Sequence, residues 1–400
     1  MPIMYFSRKS PPHISTLILL AGLSAMVMNI FLPSLPGMTV YFDTDYSVMQ
    51  LAVAGYLGAS AVLQILIGPI SDQIGRRPVL LWGIFLFLVC TLGCIYAPNA
   101  TIFLIFRIAQ AVIATCLVLS RAIVRDVVED SEAASKIGFV TMGMSVVPMV
   151  APALGGLLEE TWDWRASFWL MFGAGSMSLA LVYFDLGETK RRSGLTLGAQ
   201  FKQYPELLKS PRFWGYSLAS GFASGAFFAY LGGAPFVASG YFALDPTEVG
   251  VYFGAPAIGY FAGNYVSGAY SQRIGVNNMV LWGSFVNAIG VGLSLLLFAA
   301  GIGSAFSFFA FMTFVGLGNG MVIPNATAGA LSVRPHLAGT ASGLASAIMI
   351  GGGAGLSALA GVLLEIWPTP YPLLSLMLAT AVAALVAITL TIRRERRLRG

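Results

Sequence analysis

Apolar residues along this chain gather into runs of about 20, parted by short polar, proline-rich or glycine-rich interruptions, and the runs lack period-two alternation. Twelve runs can be counted, at approximately 14–34, 48–70, 78–97, 101–123, 135–158, 165–186, 212–237, 248–270, 278–300, 304–329, 339–364 and 371–392. Each is long enough to cross a bilayer as a helix, whose backbone groups satisfy one another, and the missing alternation argues against barrel strands. The longest polar interruption, from about Gly187 to Arg212, carries Lys190, Arg191, Arg192, Lys202 and Lys209 and divides the runs six and six. The expected organisation is an N-terminal six-helix bundle over 1–186, a cytoplasmic linker over 187–211 with a short surface helix at Leu197 to Leu208, and a C-terminal six-helix bundle over 212–400 that ends in a basic tail. No clear cleavage site follows the run from Ile14, so it is expected to stay as the first helix.

The two halves repeat each other. In Gly68-Pro69-Ile70-Ser71-Asp72-Gln73-Ile74-Gly75-Arg76-Arg77-Pro78, the residues Gly68, Ser71, Ile74 and Gly75 return 200 positions later as Gly268, Ser271, Ile274 and Gly275. The next run repeats as well, with Leu81, Trp82, Gly83 and Phe85 matching Leu281, Trp282, Gly283 and Phe285. A fixed offset of half the chain, held across a loop and a helix, marks a duplicated membrane transporter with its solute path between the halves. The fold class expected is all-α and integral to the membrane, with twelve helices in two pseudo-symmetric six-helix bundles.

Composition agrees. The chain of 400 residues is 57% hydrophobic and 10% charged, against about 25% charged for a soluble domain. Its net charge of +5 suggests nucleic acid at first sight, but the placement of the charge does not. Of the 22 Lys and Arg, all except Arg107 and Arg165 fall in the termini or in alternate loops, a positive-inside pattern that puts both termini and the central loop in the cytoplasm. The tail Arg393-Arg394-Glu395-Arg396-Arg397-Leu398-Arg399 reads as a topology anchor beside anionic membrane lipid. Cys90, Cys94 and Cys116 make no disulfide framework, and with no His nearby they read as packing rather than a metal site. The acids Asp43, Asp45, Glu159, Glu160, Asp163, Asp245 and Glu248 fall on the outer side and read as solvated.

Two stretches carry mechanical chemistry. At the end of the second run, Gly68 would permit close helix contact, and Asp72 faces Arg76 and Arg77 across a tight turn at Gly75, as a latch able to break and re-form. In the second copy Gln272 stands where Asp72 does, so that latch is expected to be weaker. In the fifth run, Pro148 and Pro152 would each remove a helix hydrogen bond and kink the span, while Gly155 and Gly156 would let a neighbouring backbone approach.

These residues carry a family resemblance over nearly the whole chain. The loop resembles the signature of the major facilitator superfamily. The run Val147-Pro148-Met149-Val150-Ala151-Pro152-Ala153-Leu154-Gly155-Gly156 is similar to that superfamily's antiporter motif, in the Ala-Pro-x-x-Gly-Gly form of the Bcr/CflA drug-resistance exporters. Arg121-Ala122-Ile123-Val124-Arg125-Asp126 and Ala234-Pro235-Phe236-Val237 also look like that group. The resemblance implies export with proton antiport across a bacterial inner membrane, which supplies the direction of transport and the compartment.

Arg107, well inside the fourth run, is the strongest functional residue, because a buried intramembrane cation is costly unless it meets water or a partner. It is expected to be exposed to cargo or water, with Gln110 one turn on sharing its face. The resemblance ties the corresponding Arg to proton coupling. Asn29 departs from the pattern, since Bcr/CflA-like exporters usually carry an Asp there, and an amide cannot carry a proton. Asn29 could hydrogen-bond substrate, Arg107 or another helix. All 17 Asp and Glu lie in loops or near span ends, which leaves no mid-span carboxylate for coupling. Tyr56, Gln64, Met142, Met144, Phe227, Tyr230, Tyr260, Asn264, Asn319 and Asn325 are candidates to line the path, mixing apolar bulk with a few hydrogen-bonding groups.

The leading reading is a monomeric exporter of small, largely apolar drugs of the amphenicol or bicyclomycin kind, working by alternating access with protons as counter-ion and no cofactor. A transporter of an anionic metabolite bound by Arg107 and a non-transporting membrane sensor are the alternatives. An enzyme is not indicated: no Ser-His-Asp, metal or nucleotide constellation is present, and His13 and His336 lie far apart.

Overall fold

The computed structural model describes residues 12–127, 140, 144, 146–189, 204–334 and 337–399, with the side chains of 125, 338, 339, 398 and 399 excepted. Met142, His336 and most of the expected linker, including Lys190, Arg191, Arg192 and Lys202, lie outside them. Of the surface helix expected at Leu197 to Leu208, the described part is the short helix Tyr204–Leu208.

The described residues are helical, and the protein is an all-α membrane protein of two six-helix bundles. The first comprises α1 (Ile14–Asn29), α2 (Leu51–Ile74), α3 (Arg76–Ile95), α4 (Ala100–Ala109 and Ala114–Val127, joined by a 3₁₀ turn at Gln110–Ile113), α5 (Val147–Thr161) and α6 (Trp164–Asp185). The second comprises α7 (Pro211–Phe236), α8 (Gly254–Ile274), α9 (Val276–Ala299), α10 (Ala305–Leu331), α11 (Ala338–Ile366) and α12 (Pro370–Arg399). Among the described residues ten helical segments are long and apolar enough to cross a membrane. The two rods outside that set are α5, whose N-terminal side is only partly described, and α8, where Tyr260, Asn264, Ser267 and Ser271 dilute the apolar run.

Local chemistry sets the helix ends. Asn99 accepts a hydrogen bond from the Ile102 backbone N–H at 3.0 Å to start α4, and Asp163 does the same for Arg165 at 2.8 Å to start α6. Gly75 and Gly275 end α2 and α8 at φ 114° and 86°, a region that disfavours a Cβ. The duplication seen in the sequence thus has one geometry in both halves. The matched aromatic pairs share it too: Trp82 meets Phe85 with ring centroids 5.8 Å apart at 85°, and Trp282 meets Phe285 at 6.0 Å and 77°. All four rings are exposed on the protein surface, as lipid-facing side chains are.

At the end away from the Gly68–Pro78 loop the bundles are in close contact. A Cβ at Gly156 would collide with the Pro246 carbonyl oxygen, and one at Gly250 with that of Pro152, so α5 and the short helix Pro246–Tyr252 touch backbone to backbone. Gly155 meets the Ile30 carbonyl just beyond α1 in the same way. The Tyr46 hydroxyl donates to Gly232 O of α7 at 2.7 Å, and Thr247 donates to the exposed Glu160. Pro152 lies inside α5 as expected, whereas Pro148 stands in the first turn of its described part, where a missing N–H removes no helix bond.

Candidate functional site

Between the bundles lies a cavity of about 250 Å³. Its first wall is made by Ser24, Met28 and Asn29 of α1, Tyr56, Ser60 and Gln64 of α2, and Met144 and Pro148. The opposite wall presents Ser224, Phe227 and Phe228 of α7, Tyr260 of α8, Asn319 of α10 and Met349 of α11. No charged side chain is among the described lining residues, and the wall is mainly apolar with a few amides and hydroxyls. Gln64 also borders a second, polar cavity toward the Gly68–Pro78 loop, together with Asp72, Arg76, Arg121 and Thr340. The two cavities thus share Gln64 as a wall residue, the polar one lying toward the loop end, while the glycine contacts bind the bundles together at the other end.

Of the expected path residues, Asn29, Tyr56, Gln64, Met144, Phe227, Tyr260 and Asn319 stand on the cavity wall. Tyr230 does not. It is buried in a ring cluster with Phe253 at 4.9 Å, Phe309 at 6.2 Å and Phe308 at 6.5 Å, inside the second bundle. Asn264 is also off the wall and donates to Tyr260 O of its own helix at 2.8 Å. Asn325 joins two helices, donating to Ser267 Oγ of α8 at 2.8 Å.

Arg107 corrects a second expectation. It is 0% exposed and is not part of the cavity wall. Its guanidinium donates to Val27 O at 2.9 Å, Ala52 O at 3.2 Å and Gln110 Oε1 at 2.8 Å, and Gln110 in turn donates to Thr91 Oγ1 at 2.8 Å. The Phe31 and Tyr56 rings cover it at 4.0 and 4.5 Å. Tyr56, one face toward Arg107, is itself a wall residue, so the cation sits one side chain behind the cavity. A guanidinium can be this dry because two backbone oxygens and an amide oxygen take three of its five protons and aromatic faces lie against its charge. Asn29 is not one of its partners; that amide donates to Ala25 O, one turn back, at 2.7 Å.

The loop latch forms, and it is broader than expected. Arg76 pairs with Asp72 at 2.7 Å and with Asp126, at the end of α4, at 2.9 Å. Glu188, just past α6, accepts from the backbone N–H groups of Arg76 at 2.9 Å and Arg77 at 3.2 Å. The Arg77 side chain does not join Asp72; it donates to Tyr183 O of α6 at 3.1 Å. Gly68, expected to allow close helix contact, has nothing within 4 Å of where its Cβ would be. In the second half an acid from α12 replaces the one that Gln272 lacks. Glu395 accepts from Asn277 at 2.7 Å and pairs with Arg212 at 2.6 Å, with the Tyr216 hydroxyl 3.1 Å away. The basic tail thus contains a structural contact as well as exposed arginines. The three cysteines are buried and free, and among the described residues no group of His, Cys, Asp and Glu could hold a metal ion.

This architecture has relatives. The family model described as Major Facilitator Superfamily matches residues 17–348 and, in a separate match, residues 233–400. An uncharacterized MFS-type transporter, YdgK, of Bacillus subtilis (strain 168) is 30% identical over 378 residues, covering 92% of both chains. A chloramphenicol resistance protein of Pseudomonas aeruginosa is 29% identical over 373 residues, covering 92% of this chain and 88% of that one. Among solved structures, a bacterial homolog of the human lysosomal transporter Spinster, in an inward-facing and occupied conformation, superposes with a TM-score of 0.71 at 16% identity over 96% of each chain.

Proposed function

The chain belongs to the major facilitator superfamily, and on that premise we propose that it exports small, largely apolar drugs of the amphenicol or bicyclomycin kind by alternating access, in exchange for protons. It is a multi-pass membrane transporter, with relatives at about 30% identity named for drug resistance. The observation that carries the proposal is the central cavity: it has a ring-rich wall drawn from both bundles with no charged side chain among the described residues, a polar cavity beside it toward the loop end and glycine-packed contacts at the other. Binding a neutral solute there needs little desolvation of protein charge, and rocking of the two bundles would exchange the open and sealed ends.

The distribution of Lys and Arg supports a cytoplasmic loop end, cytoplasmic termini and an inner-membrane location in a bacterium, with the exposed tail arginines near anionic lipid. The proposed working unit is the monomer, with six helices on each side of the linker and the path between them. Asn29, Tyr56 and Asn319 are assigned to substrate contact. Arg107 and Gln110 are assigned to holding the wall and to coupling, and the Asp72–Arg76 latch with Pro152, Gly155 and Gly156 to the conformational cycle. The alternative in which Arg107 binds an anion loses ground, because that guanidinium is fully buried, three of its five N–H groups donate to protein oxygens, and two rings lie against it.

Purified protein in sealed vesicles should move chloramphenicol against its gradient when a pH gradient is imposed. Failure to move any of a panel of neutral drugs, with or without that gradient, would overturn the export reading.

A further inference from the structure

Four asparagines stand in helix interiors facing protein or cavity, and three of them, together with Asn29 at the end of α1, follow one rule. The amide Nδ2 of Asn29 donates to Ala25 O, that of Asn264 to Tyr260 O, that of Asn287 to Ala223 O, and that of Asn325 to Met321 O. Asn319 breaks the rule. It is 3% exposed, it lines the central cavity, and its amide has no hydrogen-bond partner among the described residues, with Oδ1 buried. A buried primary amide left unpaired by protein is costly, and a site retains one when something else pairs with it.

The backbone around Asn319 is fixed. Gly318 packs so closely on α9 that a Cβ would fall 2.5 Å from Gly283 O, and Gly320 packs on α8, where a Cβ would fall 2.6 Å from Tyr260 O. These glycines hold α10 between two neighbours, and Asn319, the residue between them, borders the cavity. The rings of Phe227, Phe228 and Tyr260 share that wall with it, as does Ser224, whose hydroxyl also lacks a protein partner. A held amide beside aromatic surface is suited to one uncharged group that donates and accepts side by side.

We propose that Asn319 is the specificity-determining anchor of the cavity, pairing with an amide or hydroxyl of an uncharged, ring-bearing substrate whose rings pack on the wall of Phe227, Phe228 and Tyr260. The assignment rests on the export reading above and refines it, by requiring a hydrogen-bonding group on an otherwise apolar ligand.

The test uses the full chain in lipid nanodiscs with two probes. Chloramphenicol has an amide and hydroxyls on a chain attached to a ring; biphenyl is uncharged and has rings without a hydrogen-bonding group. Asn319→Leu should weaken chloramphenicol binding by about tenfold and leave biphenyl binding unchanged, with a melting temperature no lower than the parent's because the unpaired amide is gone. Asn319→Ser, which is smaller and keeps one hydroxyl, should fall between the two and serves if the leucine does not fit. Equal chloramphenicol affinity in parent and variants would overturn the anchor, as would a parent that binds biphenyl but not chloramphenicol; both leave export standing. A parent that binds neither probe would overturn the export reading and the anchor together.

Discussion

Gln50 of the first bundle donates both to the Ser357 carbonyl and, at 2.7 Å, to Ser357 Oγ of the second. The amide is 0% exposed and lies in a socket with Gly232 and Gly361, where any Cβ would strike it. This bond crosses between bundles at the sealed end, so it must break whenever that end opens. Gln50→Ala should therefore favour opening. A cysteine placed at Ser24 in the cavity should then react about tenfold faster with a membrane-impermeant maleimide applied from the sealed end. Unchanged labelling would mean that the Gln50–Ser357 contact does not hold that end shut.

The glycines of the chain fall into two kinds, and their substitution should separate them. Gly156→Ala would push a methyl group into the Pro246 carbonyl, a backbone atom that cannot step aside. It should lower the melting temperature and disrupt the seal. Gly68→Ala meets nothing within 4 Å, and alanine is the better helix former by about 1 kcal/mol, so its melting temperature should be equal or higher. Equal melting behaviour of the two variants would show that the α5 contact is not a close one.

Much of the fold was legible because the bilayer demands long apolar runs and the duplication repeats its own landmarks, from Gly75 and Gly275 to Trp82 and Trp282. Local pairs were legible too: Asp72 and Arg76 are four positions apart across the Gly75 turn, and Arg107 and Gln110 are one helical turn apart. Facing directions were not. A membrane helix is apolar toward lipid and toward protein alike, so Tyr230 and Asn319 looked equivalent, although one is packed in a ring cluster and the other borders the cavity. Long-range partners were hidden for a similar reason. Asp126, Glu188 and Glu395 read as ordinary span-end acids until packing brought each to the loop it ties down. Gln50 had no visible role because Ser357 lies 307 positions away.

Arg107 gives a prediction that distinguishes a residue in the cavity wall from one behind it. Arg107→Gln removes the cation and leaves at least one of Val27 O, Ala52 O and Gln110 Oε1 without its donor. A buried acceptor left unpaired costs about 1–3 kcal/mol, so the variant should melt below the parent. Arg107→Lys keeps the charge but loses the flat group held between Phe31 and Tyr56. Where it folds, it should bind chloramphenicol within about threefold of the parent while its transport rate falls, since the wall at Tyr56 is disturbed and no direct contact is lost. Benzoate should not compete with chloramphenicol in the parent protein. Benzoate competition abolished by Arg107→Lys would restore the anion-binding reading.

Asn29 borders the cavity beside Met28, and its amide already has a carbonyl partner one turn back. Asn29→Asp would place a titratable carboxylate beside the Ala25 carbonyl oxygen in a wall without a charged member among the described residues. Chloramphenicol binding by the variant should then depend on pH where the parent's does not, and the drug flux driven by a pH gradient should become steeper. Flux measured in vesicles at a series of internal and external pH values checks both. A parent whose flux already depends on the pH gradient as steeply as the variant's would show that the proton is carried elsewhere, and Asp72, the acid that borders the polar cavity, is then the residue to replace next.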